Sequence, residues 1–210
     1  RRAMPDVQDR DRTKLLASDL AAWLDQRHGL ADAMRKPGTI EDLARRRGRM
    51  NPRLPVEWLE EARSRGLETG EMVEFSTMVF GNDRFQLVSV KAVSNEYPLR
   101  GDIEIQREPT GPRELVNQGP GPGEVWINPR LLRLLDLEIG ESLEVGNLDL
   151  TVSGLLIREP DGGFRLSALA PRVMMHVDDV SDTGVIQEGS RVEYIYLFAG
   201  DEASLESYYQ

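Results

Sequence analysis

The fold is decided by residues 72–93, MVEFSTMVFGNDRFQLVSVKAV, which predict a β-hairpin. Both halves of this stretch are rich in β-branched and aromatic residues, and Gly81-Asn82-Asp83 between them is a turn sequence. One face of the second strand mixes apolar and polar side chains: Phe85, Leu87, Ser89 and Lys91. Because neither face is cleanly polar, we expect both faces of the hairpin to be at least partly covered.

Helical patterns precede the hairpin. Apolar residues recur at three- and four-residue steps between Asp11 and Met34, which is typical of an amphipathic helix, and Gly29 is a point where it can break in two. Thr39 with Asp42 resembles a capping box and predicts a second helix that ends in the arginine run 45–49. A short helix is predicted from Pro55 to Gly66.

A loop-rich stretch follows the hairpin. Residues 97–124 contain five prolines and are interrupted by one short predicted strand, Asp102–Gln106. Two glycines alternate with prolines before Gly123, so the stretch resembles a phosphate loop, but the prolines remove backbone donors and no Walker lysine follows. We interpret 97–124 as a stiff connector and as the best candidate for a lobe boundary.

The remainder of the chain is predicted to be mainly strand. Residues 123–127 form a short strand, Asn128 is the N-cap of a helix, and Pro129 is its first residue. A second hairpin joins residues 142–145 to 148–157, and a strand at 191–198 leads into a helix at 201–210 that the end of the sequence cuts off.

Composition limits the class of protein. The 210-residue chain has 40% hydrophobic residues and no cysteine, which excludes disulfides, cysteine nucleophiles and thiolate metal sites. No apolar run approaches the roughly 18 residues needed to span a bilayer. Residues 1–53 carry 13 Lys/Arg against 8 Asp/Glu, whereas residues 54–210 carry 13 against 28. The arginine run could bind an anionic partner, but solvated helix faces explain the basic excess more simply, and nucleic acid is not expected.

Catalytic signals are weak. The histidines are His28, which fits a helix end, and His176, which alternates with apolar neighbours and is expected to pack in or beside a strand. Neither is accompanied by a nucleophile motif. Asp178, Asp179 and Asp182 cluster near His176, but their spacing does not match a calcium loop. We therefore predict no catalytic, cofactor-binding or metal-ligating residues.

Several short segments of the sequence closely resemble one protein family. They are residues 87–94 (LVSVKAVS), 97–101 (YPLRG), 122–126 (PGEVW) and 169–173 (LAPRV). The stretch that they span, roughly 54–210, resembles the extracytoplasmic domain of YbbP-type ABC-transporter permeases, within the group of MacB, LolC/LolE and FtsX-like proteins. Leu15–Leu20 fits the same family, whereas residues 21–50 depart from it as an atypical helical insertion.

The resemblance implies an α+β fold with two lobes. Residues 1–98 would begin a porter-like α/β lobe, 99–188 would form an inserted β-rich lobe, and 189–210 would return to the first lobe. Under this interpretation Gly123, Trp126, Asn128 and Pro129 are structural residues at the entry to the helix of the inserted lobe.

The resemblance also implies a function on the periplasmic side of the bacterial inner membrane. The domain would transmit ATP-driven motion to extrude or release hydrophobic or lipid-like substrates. Its partners would be a second permease copy, a cytoplasmic ABC ATPase and a periplasmic esterase or lysophospholipase. The domain itself would not be an enzyme and would need no cofactor. Two alternatives remain: a hydrolase-like enzyme that uses His176, and an adaptor that uses the arginine run.

Overall fold

A computed structural model describes residues 40–49, 56–161, 170–187 and 190–209. Within these ranges the strands are β1 (Ile40–Arg49), β2 (Glu68–Gly81), β3 (Arg84–Val93), β4 (Ile103–Gln106), β5 (Arg113–Val116), β6 (Glu124–Ile127), β7 (Ser142–Val145), β8 (Leu148–Arg158), β9 (Arg172–His176) and β10 (Arg191–Gly200). The helices are α1 (Val56–Ser64), α2 (Pro129–Leu135) and α3 (Glu202–Tyr209), and a 3₁₀ turn spans Val177–Val180.

The strands form one mixed sheet, so the described part of the chain is an α/β structure dominated by strand. The strand order is β1-β10-β2-β3-β9-β6-β8-β4-β5, and β7 pairs with both β2 and β8. Most neighbours are antiparallel, but β3 with β9 and β6 with β8 are parallel. The sheet therefore brings strands that are distant in sequence side by side around β3 and β9.

The predicted hairpin is confirmed and is longer than expected. β2 begins at Glu68 rather than Met72, and it pairs with β3 from Met72↔Val93 to Gly81↔Arg84. Asn82 and Asp83 both have positive φ angles, 46° and 58°, as the tight primed turns of two-residue hairpins require. The turn residues that signalled the hairpin in the sequence thus set its register.

The predicted helix that begins at Thr39 is wrong where the structure describes it. Ile40–Arg49 is a strand, and all ten of its residues pair antiparallel with β10, from Ile40↔Gly200 to Arg49↔Arg191. Pairing with β10 satisfies the backbone of this segment, and such tertiary pairing overrides a local helical pattern. The remainder of the proposed insertion, residues 21–39, and the predicted helix at 11–34 lie outside the described residues, as does His28.

Other predicted elements are found close to their expected positions. The second hairpin, the helix after Asn128, the strand at 191–200 and the short helix that ends before Gly66 are confirmed, and the last predicted helix spans Glu202–Tyr209. The short strand predicted at 102–106 is β4, whereas β5 in the loop-rich stretch was not predicted. None of the helices within the described ranges has the length and apolar character of a membrane span.

The apolar core lies on both faces of the sheet. One cluster packs under α2 and β7, and it includes Val88, Val90, Leu131 and Leu143. The opposite face carries a second cluster, which includes Tyr97, Ile103, Trp126 and Met174. A smaller third cluster joins α1 and α3 to β10. β3 and β9 are direct neighbours, so the sheet is continuous between them. The division of the chain into two lobes at residues 98 and 188 stays a prediction.

Candidate functional site

A buried cluster of charged side chains lies where β3 meets the end of β8. Lys91, the third residue from the end of β3, has a side chain that is only 1% exposed. Its Nζ atom donates hydrogen bonds to the Tyr97 hydroxyl at 2.7 Å, to Glu159 Oε2 at 2.8 Å and to both carboxylate oxygens of Asp161 at 2.6 and 2.8 Å. The Tyr97 hydroxyl in turn donates to Asp161 Oδ1 at 2.6 Å. Every hydrogen bond in this set involves an ionised or strongly polarised group, so each is of the strong class.

Arg172 extends this ion network across the next strand. The parallel register places Arg172, the first residue of β9, opposite Ser89 of β3. Its guanidinium donates to Glu159 Oε1 at 3.0 Å and to Ser89 Oγ at 2.9 Å, and it lies 3.5 Å from Glu74 Oε1. The two cations thus tie the end of β8 to β3, β9 and β2.

The network shifts the pKa values of its acids in different directions. Burial raises the pKa of Tyr97, and the neighbouring charge of Asp161 raises it further, so the phenol remains protonated and acts as a donor. Burial opposes ionisation of Asp161, but Lys91 and the hydrogen bonds from Lys91 and Tyr97 outweigh it and lower the pKa of that carboxyl. For Glu74 the burial effect exceeds the attraction of Arg172 and Lys91, and the pKa is raised.

This arrangement suits a structural lock better than a reaction centre. The Lys91 ammonium is almost fully buried, and its hydrogen bonds go to Tyr97, Glu159 and Asp161, so among the described residues it is committed to structural partners. A neighbouring pocket of about 220 Å³ is lined by Asn128, by residues 156–159 and by Arg172. Within the pocket the Arg172 guanidinium donates to Glu159 and Ser89. Its charge is therefore already paired inside the protein.

The outer end of the β2–β3 hairpin carries an exposed apolar surface, which we call the hairpin face. It consists of Met78, Phe80, Phe85 and Leu87, which are 47%, 42%, 73% and 49% exposed. The register pairs Met78 with Leu87 and Phe80 with Phe85, and residues that are directly opposite share one face of a sheet. The expectation that both faces are at least partly covered is met on this face at Ser89 and Lys91, which are buried, whereas the outer end of the face is exposed.

The hairpin end extends beyond most of its neighbours but is held from the other side. β10 pairs with β2 only as far as Phe75, and β9 pairs with β3 only from Ser89. At the turn, Asn82 Nδ2 donates to the Asp136 carbonyl at 2.6 Å and Arg84 contacts Asp136 at 3.4 Å. β7 pairs with β2 at residues 79 and 80. The contacts with Asp136 and with β7 therefore hold in place the two strands that carry the hairpin face.

The four predicted structural residues lie between the turn that precedes β6 and the first residue of α2. Asn128 is the N-cap, with Oδ1 accepting from the Arg130 backbone at 2.9 Å, and Pro129 is the first helical residue. Gly123 has a φ angle of 81°, and its N–H donates to Asp179 at 2.8 Å. Trp126 is buried at 3% exposure, and its Nε1 donates to Ser153 Oγ at 3.1 Å. Gly123 thus precedes β6, Trp126 lies within it, and Asn128 and Pro129 start α2. None of the four is part of the ion network.

His176 ends β9 and packs in the interior, as its apolar neighbours predicted. Its ring is 2% exposed, its Nε2 lies 3.2 Å from Asn95 Oδ1, and its Nδ1 accepts from the Asp178 backbone N–H at 3.2 Å. A nucleophilic serine is not among these hydrogen-bond partners, which gives the hydrolase alternative no support. The described residues contain no group of three or more metal-ligating side chains, and Asp179 instead caps the Gly123 N–H.

Sequence reasoning missed the ion network, although one signal was present. Lys91 stands in an otherwise apolar strand, and a lysine there can be buried only if acidic partners reach it. Those partners, Glu159 and Asp161, are some 70 positions further along the chain, and no local pattern links them to β3. The charge of Lys91 could have predicted that partners exist, but not which residues they are.

The chain is 43% identical over 160 residues to the uncharacterized ABC transporter permease YbbP of Escherichia coli (strain K12). The match covers 76% of this chain and 19% of that protein, so the aligned region amounts to about a fifth of the relative. None of the searched protein-family models matches the chain.

Proposed function

Because the chain belongs to the YbbP-type ABC-transporter permeases, we propose that it is the extracytoplasmic domain of a permease subunit and has a non-catalytic role in transport. The observation that supports this most strongly is the 43% identity over 160 residues to a permease. The parent protein would lie in the bacterial inner membrane with this domain on the periplasmic side. A second permease copy and a cytoplasmic ABC ATPase would complete the transporter.

In this proposal the domain transmits motion rather than performing chemistry. ATP binding in the cytoplasm would move the membrane helices, and the domain would shift with them to extrude or release a substrate. The continuous sheet and the buried ion network support this role, since they join distant segments into one body. The porter-like and inserted lobes would be two regions of that body.

Hydrophobic or lipid-like compounds are the proposed substrates. The support from the structure is the apolar hairpin face, whose four exposed side chains carry no charge. A periplasmic esterase or lysophospholipase that processes such compounds is the proposed further partner.

The location of the domain is tested by labelling. Because the chain has no cysteine, an E108C substitution at an exposed loop position gives one reactive site in a cysteine-free parent permease. We expect a membrane-impermeant maleimide to label E108C once the outer membrane alone is permeabilised. Labelling that requires disruption of the inner membrane would contradict the proposal, and the cysteine-free parent controls for background.

The transmission of motion is tested in the reconstituted transporter. Spin labels at E108C on the two permease copies should show a different distance distribution with ATP and vanadate than with ADP. An identical distribution in both states, in a preparation that hydrolyses ATP, would contradict a moving outer domain.

A further inference from the structure

A second pocket has no assigned role. It has a volume of about 340 Å³ and lies between the last turn of α1, the start of β2 and the loop that joins β3 to β4. This is the opposite end of β2 from the hairpin face. We propose that the pocket binds the head group of a single-chain amphiphile that carries a phosphate and an ammonium. The inference rests on the proposed function, which supplies a lipid-like class of substrate, and it adds the head group and the residues that recognise it.

Arg63 is the group that would bind the phosphate. It lies in the last turn of α1, and its Nε donates to Thr69 Oγ1 at 2.8 Å. Because Thr69 is 3% exposed, the hydroxyl that holds the guanidinium is itself fixed. The terminal nitrogens Nη1 and Nη2 make no hydrogen bond or ion pair with any residue that the structure describes. A guanidinium with both terminal nitrogens available matches two oxygens of a phosphate.

The availability of Arg63 is notable in so acidic a region. Residues 54–210 carry 28 acidic side chains against 13 basic ones, and ion pairs with acids engage many of the described cations. These paired cations are Arg65, Arg84, Lys91, Arg100, Arg107, Arg113, Arg158 and Arg172. Arg63 has no acidic partner among the described residues although it lines a pocket, so an anion from outside can pair with it.

Glu96 is the group that would bind the ammonium. Two carboxylates line the pocket, and Glu68 is already paired with Arg100. Glu96 is exposed, and its side chain makes no hydrogen bond or ion pair within the described part of the chain. A purely anionic ligand would be repelled by the acidic domain, whereas a phosphodiester with an ammonium has no net charge. The two unpaired charges of the pocket therefore favour a zwitterionic head group.

The floor of the pocket is apolar and suits the start of an alkyl chain. Leu67 and Leu99 are 4% and 9% exposed, and Pro98 is also buried. Leu99 is held from behind by β2, since a Cβ added at Gly70 would lie 3.6 Å from Leu99 Cδ2. Small-molecule sites have volumes of roughly 300–1,000 Å³. The pocket lies at the lower end of this range and therefore suits a head group and the first methylenes better than a whole lipid.

The spacing of the two charges favours this head group over a free amino acid. Arg63 and Glu96 line one pocket but do not form an ion pair, so more than 4.0 Å separates the nitrogens of one from the oxygens of the other. In an amino acid the carboxylate and the ammonium share one carbon atom. In a phosphoethanolamine group two carbon atoms separate the phosphate from the ammonium, and this longer unit can reach both residues.

The first test is calorimetric titration of the chain with lauroyl lysophosphatidylethanolamine below its critical micelle concentration. We expect saturable binding that R63M weakens by about tenfold, because a charge-assisted pair with the phosphate is lost. R133M is the matched control, since Arg133 is an exposed arginine on α2 that does not line the pocket; it should bind like wild type. Equal affinities of R63M and R133M, with both variants folded by circular dichroism, would overturn the proposal.

A second variant tests the ammonium separately. E96Q should weaken binding of lauroyl lysophosphatidylethanolamine but not of lauroyl lysophosphatidic acid, which has the same chain and a phosphate but no ammonium. E108Q, at an exposed loop position, should change neither affinity. An equal effect of E96Q on both lipids would contradict the assignment of Glu96. Binding of dodecyl maltoside or of leucine as tight as that of the zwitterionic lipid would contradict the proposed head group.

The outcomes separate this inference from the proposed function. If E108C is labelled from the periplasmic side but the chain binds none of these lipids, the head-group site is refuted and the permease assignment stands. If binding depends on Arg63 but E108C is labelled only after the inner membrane is disrupted, the site stands and the proposed location fails.

Discussion

Replacement of Lys91 by methionine is the sharpest test of the buried ion network. The K91M substitution keeps an unbranched side chain of similar length in β3 but removes the ammonium group. Glu159 Oε2 and both carboxylate oxygens of Asp161 then lose a donor at 2.6–2.8 Å. The Tyr97 hydroxyl keeps its hydrogen bond to Asp161 but loses the one from Lys91.

The magnitude follows from the exposure of the groups that remain. Removing one partner of a buried ion pair costs about 3–5 kcal/mol, because the other charge is left uncompensated. The Glu159 side chain is 10% exposed and Asp161 is 34% exposed, so Asp161 can be partly rehydrated while Glu159 keeps its contact with Arg172. We therefore expect the lower end of that range, about 3 kcal/mol.

Urea denaturation of the chain measures this loss as a fall in the midpoint by about 1 M, with the slope unchanged. R113M is the control, since the Arg113–Glu104 pair is exposed at the arginine and should contribute less than about 1 kcal/mol. The double variant K91M/D161N removes the stranded carboxylate and should recover part of the loss. A K91M variant as stable as R113M, or a D161N effect that is the same with and without Lys91, would refute the lock.

Three further predictions concern single positions. G146A should lower the free energy of unfolding by more than about 2 kcal/mol in a thermal melt, because Gly146 has φ 63° and an added Cβ would lie 2.1 Å from the Thr183 carbonyl oxygen. In the control G123A, where φ is 81° and no atom lies within 4 Å of the added Cβ, the loss should be only about 1 kcal/mol. The raised pKa of Glu74 stabilises the fold below the unfolded value of about 4.3, and this contribution is lost as pH rises through the folded pKa. The E74Q variant should therefore gain stability relative to wild type as pH rises above about 4.3, and a pH-independent difference would contradict this assignment. N128A should lower stability by about 1 kcal/mol through loss of the N-cap, while N128D retains it; equal losses in both would argue against capping.

Elements with local signals were predicted well from the sequence. The turn residues Asn82 and Asp83 identified the first hairpin, and Gly146 with Asn147 identified the second, because these residues tolerate the positive φ angles that such turns need. Asn128 and Pro129 identified the start of α2 for the same kind of reason, since their side chains act within two residues of their own position.

Elements that depend on distant partners were not predicted. Ile40–Arg49 has residues compatible with a helix, and only the ten-residue ladder with β10 makes it a strand. β5 has four residues and gains its ladder from β4. Lys91 gave a local hint of partners, but Glu159 and Asp161 reach it through the sheet. In each case the missing information was a contact between segments far apart in sequence.

The ion network and the hairpin face belong to the same two strands, and their positions are coupled. Glu74 pairs with Lys91, and the uncharged pairs from Ser76↔Ser89 to Phe80↔Phe85 follow directly. A slip of one residue in β3 would turn Lys91 away from its acidic partners and would also turn Phe85 and Leu87 to the opposite face. Because the buried charges make that slip costly, the network reinforces the register that the turn at Asn82 and Asp83 sets. Lys91 therefore helps to keep the same residues on the exposed face.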